Sequence, residues 1–279
     1  MISVVVPVFN TGRFLPRTVE ALLAQDFPRD RYELIFVDNG SNDDSVDILH
    51  RYPGVRVLHE PAQGSYAARN CGLREARGDI IAFTDSDCFA DPAWLSSIDE
   101  GFNVPGSLVL MGPRLPANDN RSLQLIAAYE NQKKEYICES DDPSIYYGYT
   151  NNMAVRRSVF ETTGMFVQRE RGADSIFVQK VVNAESCAAV TWCPGMAVVH
   201  GELNSVAAYF DKVKTYSRSH RAFRHLTPVR PLSLKERLEV FRRAVHERPV
   251  VDSAWLMGLL IAGQFAWWLG GLGVARSDH

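Results

Sequence analysis

The sequence predicts an α/β fold: a mostly parallel central sheet flanked by helices, with a helical appendage at the C-terminal end. Three observations predict it. Short apolar runs alternate with segments of helical spacing from Ile2 to Asp91, a pattern that implies right-handed crossovers and a parallel sheet. Several of the runs end in turn residues and carboxylates, at the ends of strands where open sheets bind ligands. From Leu232 the character shifts to a basic amphipathic segment and then a long uncharged one.

Size and composition narrow the function. The 279 residues suffice for one large α/β domain with an appendage, or for two small domains. Charged residues make up 23% and the formal net charge is -3, so nothing points to bulk nucleic-acid binding. A polyanionic ligand would need a metal or local Arg and Lys. The five cysteines are scattered, with no Cys-x-x-Cys, which argues for free thiols in a reducing compartment rather than disulfides or zinc. The chain opens directly on a strand-like run, so no signal peptide is expected.

Taken in order, residues 2–9 are β-branched and apolar, a central strand closing at Pro7. After the turn Asn10-Thr11-Gly12-Arg13, Leu15, Val19, Leu22 and Leu23 recur at helical spacing to about Gln25. Residues 32–37 form a second strand, ending in Asp38-Asn39-Gly40-Ser41 before an acidic helix start. Residues 55–58 form a third, and Gln63-Gly64-Ser65 opens a helix to Ala76. Residues 80–84 form the fourth strand, and Asp91-Pro92 is a cap and first-turn pair for the next helix. Further on, residues 108–111 read as a strand and 123–136 as a helix. Residues 137–149 read as an acidic, Tyr-rich loop over the active face, and 158–161 as a short helix ending near Gly164. Residues 174–182 read as a helix and 190–199 as a closing strand pair.

The fourth strand runs into Asp85-Ser86-Asp87. Alternation along an extended chain would put both carboxylates on one side, where like charges repel unless a cation lies between them. A hard divalent ion with oxygen ligands is that cation, and such ions share their shell with substrate phosphates. The plainer reading is an Asx-type turn that caps the following helix.

The segments Val4–Asn10, Phe36-Val37-Asp38-Asn39-Gly40-Ser41, Ala68-Arg69-Asn70-Cys71-Gly72-Leu73, Asp85-Ser86-Asp87 and residues 151–160 with Gly164-Met165-Phe166, in this order, resemble glycosyltransferase family 2. Arg171-Gly172-Ala173-Asp174 resembles a later family motif whose usual form has Glu before the Asp; Ala173 here removes one candidate acceptor-binding carboxylate. The resemblance covers about residues 1–205. It implies the GT-A fold, with residues 1–225 as catalytic domain (1–115 for the nucleotide sugar, 116–225 for the acceptor) and 226–279 as C-terminal helices.

The resemblance also implies roles. The donor would be a nucleoside diphosphate sugar, UDP-linked by family habit, and the acceptor a saccharide or lipid-linked molecule. Pro7 and Phe9 would line the base pocket, and Asp38 would accept from the base N–H, unless it merely caps a helix. Arg69 would sit near the diphosphate or base with Asn70 beside it. Asp85 and Ser86 would stand at the ribose or the metal's shell. Asp87 would ligate Mn²⁺ or Mg²⁺, and His200 would complete the shell, its alternative being a strand-end His bonded to backbone. Asp174 would take the proton of the attacking acceptor hydroxyl, inverting the anomeric centre; otherwise it caps the following helix.

Two other functions compete. A sugar-1-phosphate nucleotidyltransferase needs a Gly-rich basic loop after the first strand, which residues 7–12 do not supply. A non-catalytic nucleotide-sugar binder or membrane scaffold would not need the Asp85, Asp87, Asp174 and His200 set. At the C-terminus, residues 234–246 form a basic amphipathic helix. Residues 253–275 lack charge and carry Trp255, Trp267 and Trp268. With the basic run 219–225 they predict attachment to the cytoplasmic face of a membrane, spanning or lying in the interface. The alternative is a hairpin packed on the domain or in an oligomer interface.

Overall fold

Strand β1 (Ile2–Val8) is buried along its whole length because it lies between β2 (Tyr32–Asp38) and β4 (Ile80–Thr84). Pro7 breaks no pairing with β4, since that ladder ends at Val5↔Phe83. The computed structural model describes residues 1–169, 171–223 and 229–272. In chain order the remaining elements are α1 (Leu15–Leu23), α2 (Ser45–Leu49), β3 (Val55–His59), α3 (Ser65–Glu75), β5 (Cys88–Ala90), α4 (Trp94–Gly101), β6 (Val109–Met111), β7 (Arg114–Pro116) and α5 (Arg121–Cys138). They continue with β8 (Asn152–Arg156), α6 (Arg157–Thr163), α7 (Ala173–Ala184), β9 (Val190–Trp192), β10 (Val198–His200), α8 (Val206–Phe223), α9 (Leu234–Ala244) and α10 (Val250–Leu272).

The main sheet has the order β3-β2-β1-β4-β8-β6-β9. Alternation divides its side chains between two cores. Val5, Ile35, Val37, Ile81 and Phe83 pack towards α3, α6 and α7, while Val4, Val6, Leu34, Phe36 and Ala82 pack towards α1 and α4. Among the described strands of this sheet, β8 alone runs against its neighbours, pairing antiparallel with β4 and β6. That reversal lies within residues 151–160, which carry part of the family resemblance and to which the sequence reading assigns no strand. A second sheet has the order β5-β10-β7.

The predicted closing pair at 190–199 is corrected. β9 pairs with β6 in the main sheet, whereas β10 pairs with β5 and β7 in the small one. The turn at Pro194-Gly195 carries the chain from one sheet to the other instead of closing a hairpin. The predicted loop 137–149 is also corrected: its apolar members turn inward. Helix α5 continues to Cys138, Ile145 and Tyr146 are buried, and the Tyr146 hydroxyl donates to Cys138 O and Ser140 O at 3.2 and 2.7 Å.

The C-terminal helices fold back onto the domain. Ser233 and Glu236 form a capping box at the start of α9. Leu125 and Tyr129 of α5 pack with Val240, Ala244 and Leu256. Helix α10 is long and apolar enough to cross a membrane, yet one side of it is held. Trp255 Nε1 donates to Ser122 Oγ at 2.9 Å, Ser217 Oγ donates to Trp267 O at 2.6 Å, and Arg121 pairs with Asp252. The predicted boundary at 225/226, with Arg224 and His225, lies outside the described residues, as do residues 273–275 of the uncharged stretch.

Candidate active site

Past Thr84 the chain is not extended. Cys88 N donates to Asp85 O at 3.0 Å, closing a β-turn over Asp85-Ser86-Asp87. The expectation of two carboxylates side by side through strand alternation is therefore replaced by a divergence. Asp85 turns to the buried guanidinium of Arg69, and Asp87 turns to His200. Ser86 is buried, and its carbonyl accepts from Thr18 Oγ1 at 2.7 Å, so it serves the turn through its backbone.

The small sheet brings His200 to this turn across more than a hundred residues. In the β5–β10 ladder His200 faces Cys88, the residue after Asp87, and Gly201 N donates to Asp87 O at 2.7 Å. His200 Nδ1 then lies 3.2 Å from Asp87 Oδ2. Despite that approach, the buried Nδ1 makes no hydrogen bond among the described residues. Two donor atoms in near contact without a bond suit two ligands aimed at one ion. Cys88 Sγ belongs to the same cluster, but burial, reinforced by the charge of Asp87, raises its pKa well above the usual thiol range. A protonated thiol is a poor ligand, and the remaining carboxylate and imidazole suit Mn²⁺ or Mg²⁺.

Burial, with the charges of Asp85 and Glu202 next, raises the Asp87 carboxyl to about 7. Burial, then Lys212 and Arg114, lowers His200 to about 3. The imidazole is thus neutral at ordinary pH, and Asp87 is the group that must give up a proton to hold a cation. Mn²⁺ affinity should therefore climb by about tenfold per pH unit below neutrality and level off above pH 7. Calorimetric titration between acid and mildly alkaline pH checks this; a flat profile would contradict it.

Helix α3 organises the other half. Tyr66, Arg69 and Asn70 share one face by their i, i+3, i+4 spacing. Arg69 holds Asp85, and its own buried Nε–H is unpaired among the described residues. Tyr66 hydrogen-bonds Asp174. Asn70 differs from its expected place beside the nucleotide: it donates to Phe166 O at 2.7 Å and accepts from Phe166 N at 3.1 Å. With both ends of its amide engaged, it is a brace. Phe166 packs its ring on Phe83, Tyr66 and Phe177, with centroids 5.3, 5.7 and 5.0 Å away. That brace fixes the start of α7, and so Asp174, against α3.

Asp174 sits in the first turn of α7, while Gly172 (φ +82°) takes the N-cap position. Its carboxylate accepts from Ser175 N at 2.8 Å and from Tyr66 and the Thr150 backbone. Burial raises its pKa, opposed by these bonds and by Arg69. Gly148 allows this arrangement, since a Cβ there would come within 2.8 Å of Asp174 O.

A cavity of about 270 Å³ is lined by Asp85, Asp87, Asn151, His200 and Glu202 together with Arg171, Lys212, Thr215 and Tyr216. Lys212 Nζ lies 3.1 Å from His200 Nε2 and 3.3 Å from Glu202. Asp174 is not among its lining residues; it is linked to the lining Asp85 through Arg69, which interacts with both carboxylates. Pro7 and Phe9 lie at the end of β1, Pro7 buried and Phe9 exposed on the rim. Asp38 ends β2 and accepts from Gly40 N, Ser41 N and His59 Nδ1 at 3.2, 3.0 and 3.1 Å. It is a turn-closing carboxylate at that rim. The sequence reading missed Arg171, Lys212 and Tyr216 as lining groups. Arg171 stood in a quoted motif, but α8 offers no local signal for Lys212 or Tyr216.

Comparison with known proteins agrees with this geometry. Residues 3–164 match the family model for glycosyl transferase family 2. The glycosyltransferase AglE of Haloferax volcanii is 32% identical over 177 residues, 59% of this chain and 55% of its own length. The putative glycosyltransferase EpsH of Bacillus subtilis is 30% identical over 57% of this chain and 48% of its own. The chain thus matches about half the length of these relatives. Among solved structures, the mannosyltransferase PcManGT of Pyrobaculum calidifontis, in complex with GDP-Man and Mn²⁺, superposes with a TM-score of 0.65. It is 17% identical and covers 99% of this chain and 88% of its own. TarS of S. aureus in complex with UDP gives 0.59 at 16% identity, covering 100% and 92%. These likenesses show a GT-A fold, and with the family match over more than half its length the chain belongs to glycosyl transferase family 2.

Proposed function

We propose that this protein transfers a sugar, with inversion, from a nucleoside diphosphate sugar, UDP-linked, to a saccharide or lipid-linked acceptor with the help of Mn²⁺ or Mg²⁺. The observation that carries the proposal is the unbonded approach of His200 Nδ1 to Asp87 inside a cavity that basic residues also line. Solved relatives in fold contain UDP, UDP-GlcNAc, or GDP-Man with Mn²⁺.

Asp87 and His200 would hold the ion, which when bound takes up the charge growing on the departing diphosphate. Lys212 and Arg171 add positive charge to the cavity, and Arg69, by holding Asp85, would present it to the ribose. Asp174 is held behind the cavity wall by Tyr66 and Ser175, with its pKa raised by burial; it would take the proton of an acceptor hydroxyl that enters beside Tyr66 and displaces one of these bonds. A panel of UDP-sugars and GDP-mannose should bind, and release nucleoside diphosphate in the presence of acceptor, with Mn²⁺ but not with excess EDTA. Metal-dependent binding without any turnover would favour the non-catalytic binder; no metal-dependent binding would overturn both.

Helix α10 supports a place at the membrane surface. Its free side exposes Val250, Met257, Ile261, Phe265 and Trp268, with Val250 85% and Ile261 64% exposed, while other positions are held on α5 and α8. Such a helix lies in the plane of the cytoplasmic leaflet, because spanning would tear it from the domain. Anionic vesicles should carry the protein up a density gradient, and Ile261→Ser with Phe265→Ser and Trp268→Ser should leave it at the bottom. Wild-type protein that stays at the bottom with vesicles present refutes this placement.

A further inference from the structure

We propose that Asn151 reads the transferred sugar, by accepting a hydrogen bond from one of its ring hydroxyls. This rests on the donor assignment above and adds a residue to it. Asn151 is 9% exposed and lines the cavity, yet its Oδ1 has no hydrogen-bond partner among the described residues. A buried amide oxygen left without a partner costs free energy, so its natural complement is a ligand.

The backbone makes that oxygen a fixed point. Asn151 O accepts from Thr84 Oγ1 at 3.1 Å. The next residue, Asn152, is anchored through its own side chain: Oδ1 accepts from Trp94 Nε1 at 2.9 Å, and Nδ2 donates to Pro113 O and Met196 O at 2.9 and 2.7 Å. Asn151 is the turn residue just before β8, so the anchoring of Asn152 fixes the backbone from which Asn151 lines the cavity. The β4–β8 ladder ends at Thr84↔Asn152, and Asp85 and Asn151 are the residues that flank this last pair on the two chains. Both line the cavity, which puts the amide in the same space as the first carboxylate of Asp85-Ser86-Asp87.

Its chemistry differs from that of its neighbours. The charged groups lining the cavity suit an ion and phosphates, and a diphosphate held there directs the attached sugar into the remaining space. A neutral amide on the sheet wall offers both an acceptor and a donor, which matches a hydroxyl and has no electrostatic preference for phosphate. A site built to bond a hydroxyl rejects an analogue that lacks or misplaces it more strongly than an apolar wall would.

The test uses the full chain with MnCl₂ and measures binding of UDP, UDP-glucose, UDP-galactose, UDP-N-acetylglucosamine and GDP-mannose to wild type and Asn151→Ala. The variant should bind UDP within about twofold of wild type and lose roughly ten- to a hundredfold for the preferred nucleotide sugar, so that the panel converges. An unchanged order and spread of affinities overturns the inference. So does a parallel loss of UDP binding, which would make Asn151 a support for the rim. If wild type binds no nucleotide with Mn²⁺, it is the donor assignment itself that has failed.

Discussion

Asp174→Asn is expected to bind Mn²⁺ and nucleotide sugar as the parent does, and to transfer sugar roughly 10²–10⁴-fold more slowly. The substitution preserves shape and lets the amide oxygen keep the Ser175 N–H bond at 2.8 Å. What it removes is the ability to accept a proton. Burial already raises the Asp174 pKa, so a neutral amide there should not unfold the first turn of α7. Initial rates of transfer beside nucleotide-sugar binding constants separate the two effects. Near-parental transfer would move the base elsewhere; lost donor binding would make Asp174 part of the donor site.

The second large effect is at the ion. Asp87→Asn should weaken Mn²⁺ binding by at least about 10²-fold, and metal-dependent nucleotide binding should fall with it. The same change should leave the apo protein as stable as before or more so. Burial and the neighbouring Asp85 and Glu202 charges raise the Asp87 carboxyl to about 7, so its ionised form is a cost to the fold without a cation. Calorimetry with MnCl₂ and a thermal melt read these opposite signs. Unaltered Mn²⁺ affinity would remove Asp87 from the ion's shell, and a lower melting temperature would show that the carboxylate is structural.

Much of the fold was legible because its centre is made of strands buried on both faces. The runs at 2–8, 32–38 and 80–84 are apolar without alternation, which is what a parallel strand between two helical layers requires. Strand direction was not legible. Asn152–Arg156 would read the same in either orientation, and its reversal is decided by partners at 80–84 and 109–111. The fate of 190–200 was hidden for a similar reason, since two short strands close in sequence pair with different sheets. At the site, His200 and Asp87 were both singled out and do meet, but the alternation argument for Asp85 and Asp87 failed at a turn. Asn70 was expected beside the nucleotide and is instead spent on Phe166, a residue 96 positions away whose demand for hydrogen bonds no local pattern announces.

The three-residue ladder between β5 and β10 has a consequence for biogenesis. A nascent chain that has emerged only as far as residue 164 already carries every strand of the β3-β2-β1-β4-β8-β6 platform. It holds both carboxylates of the turn but not the imidazole. If Asp87 and His200 hold the proposed ion, its capture waits until translation has passed position 200 and the last strand has slotted in beside Cys88. The core beneath the platform is likewise completed only by Phe177, Val181 and Val190, so ion loading would be among the final events of maturation.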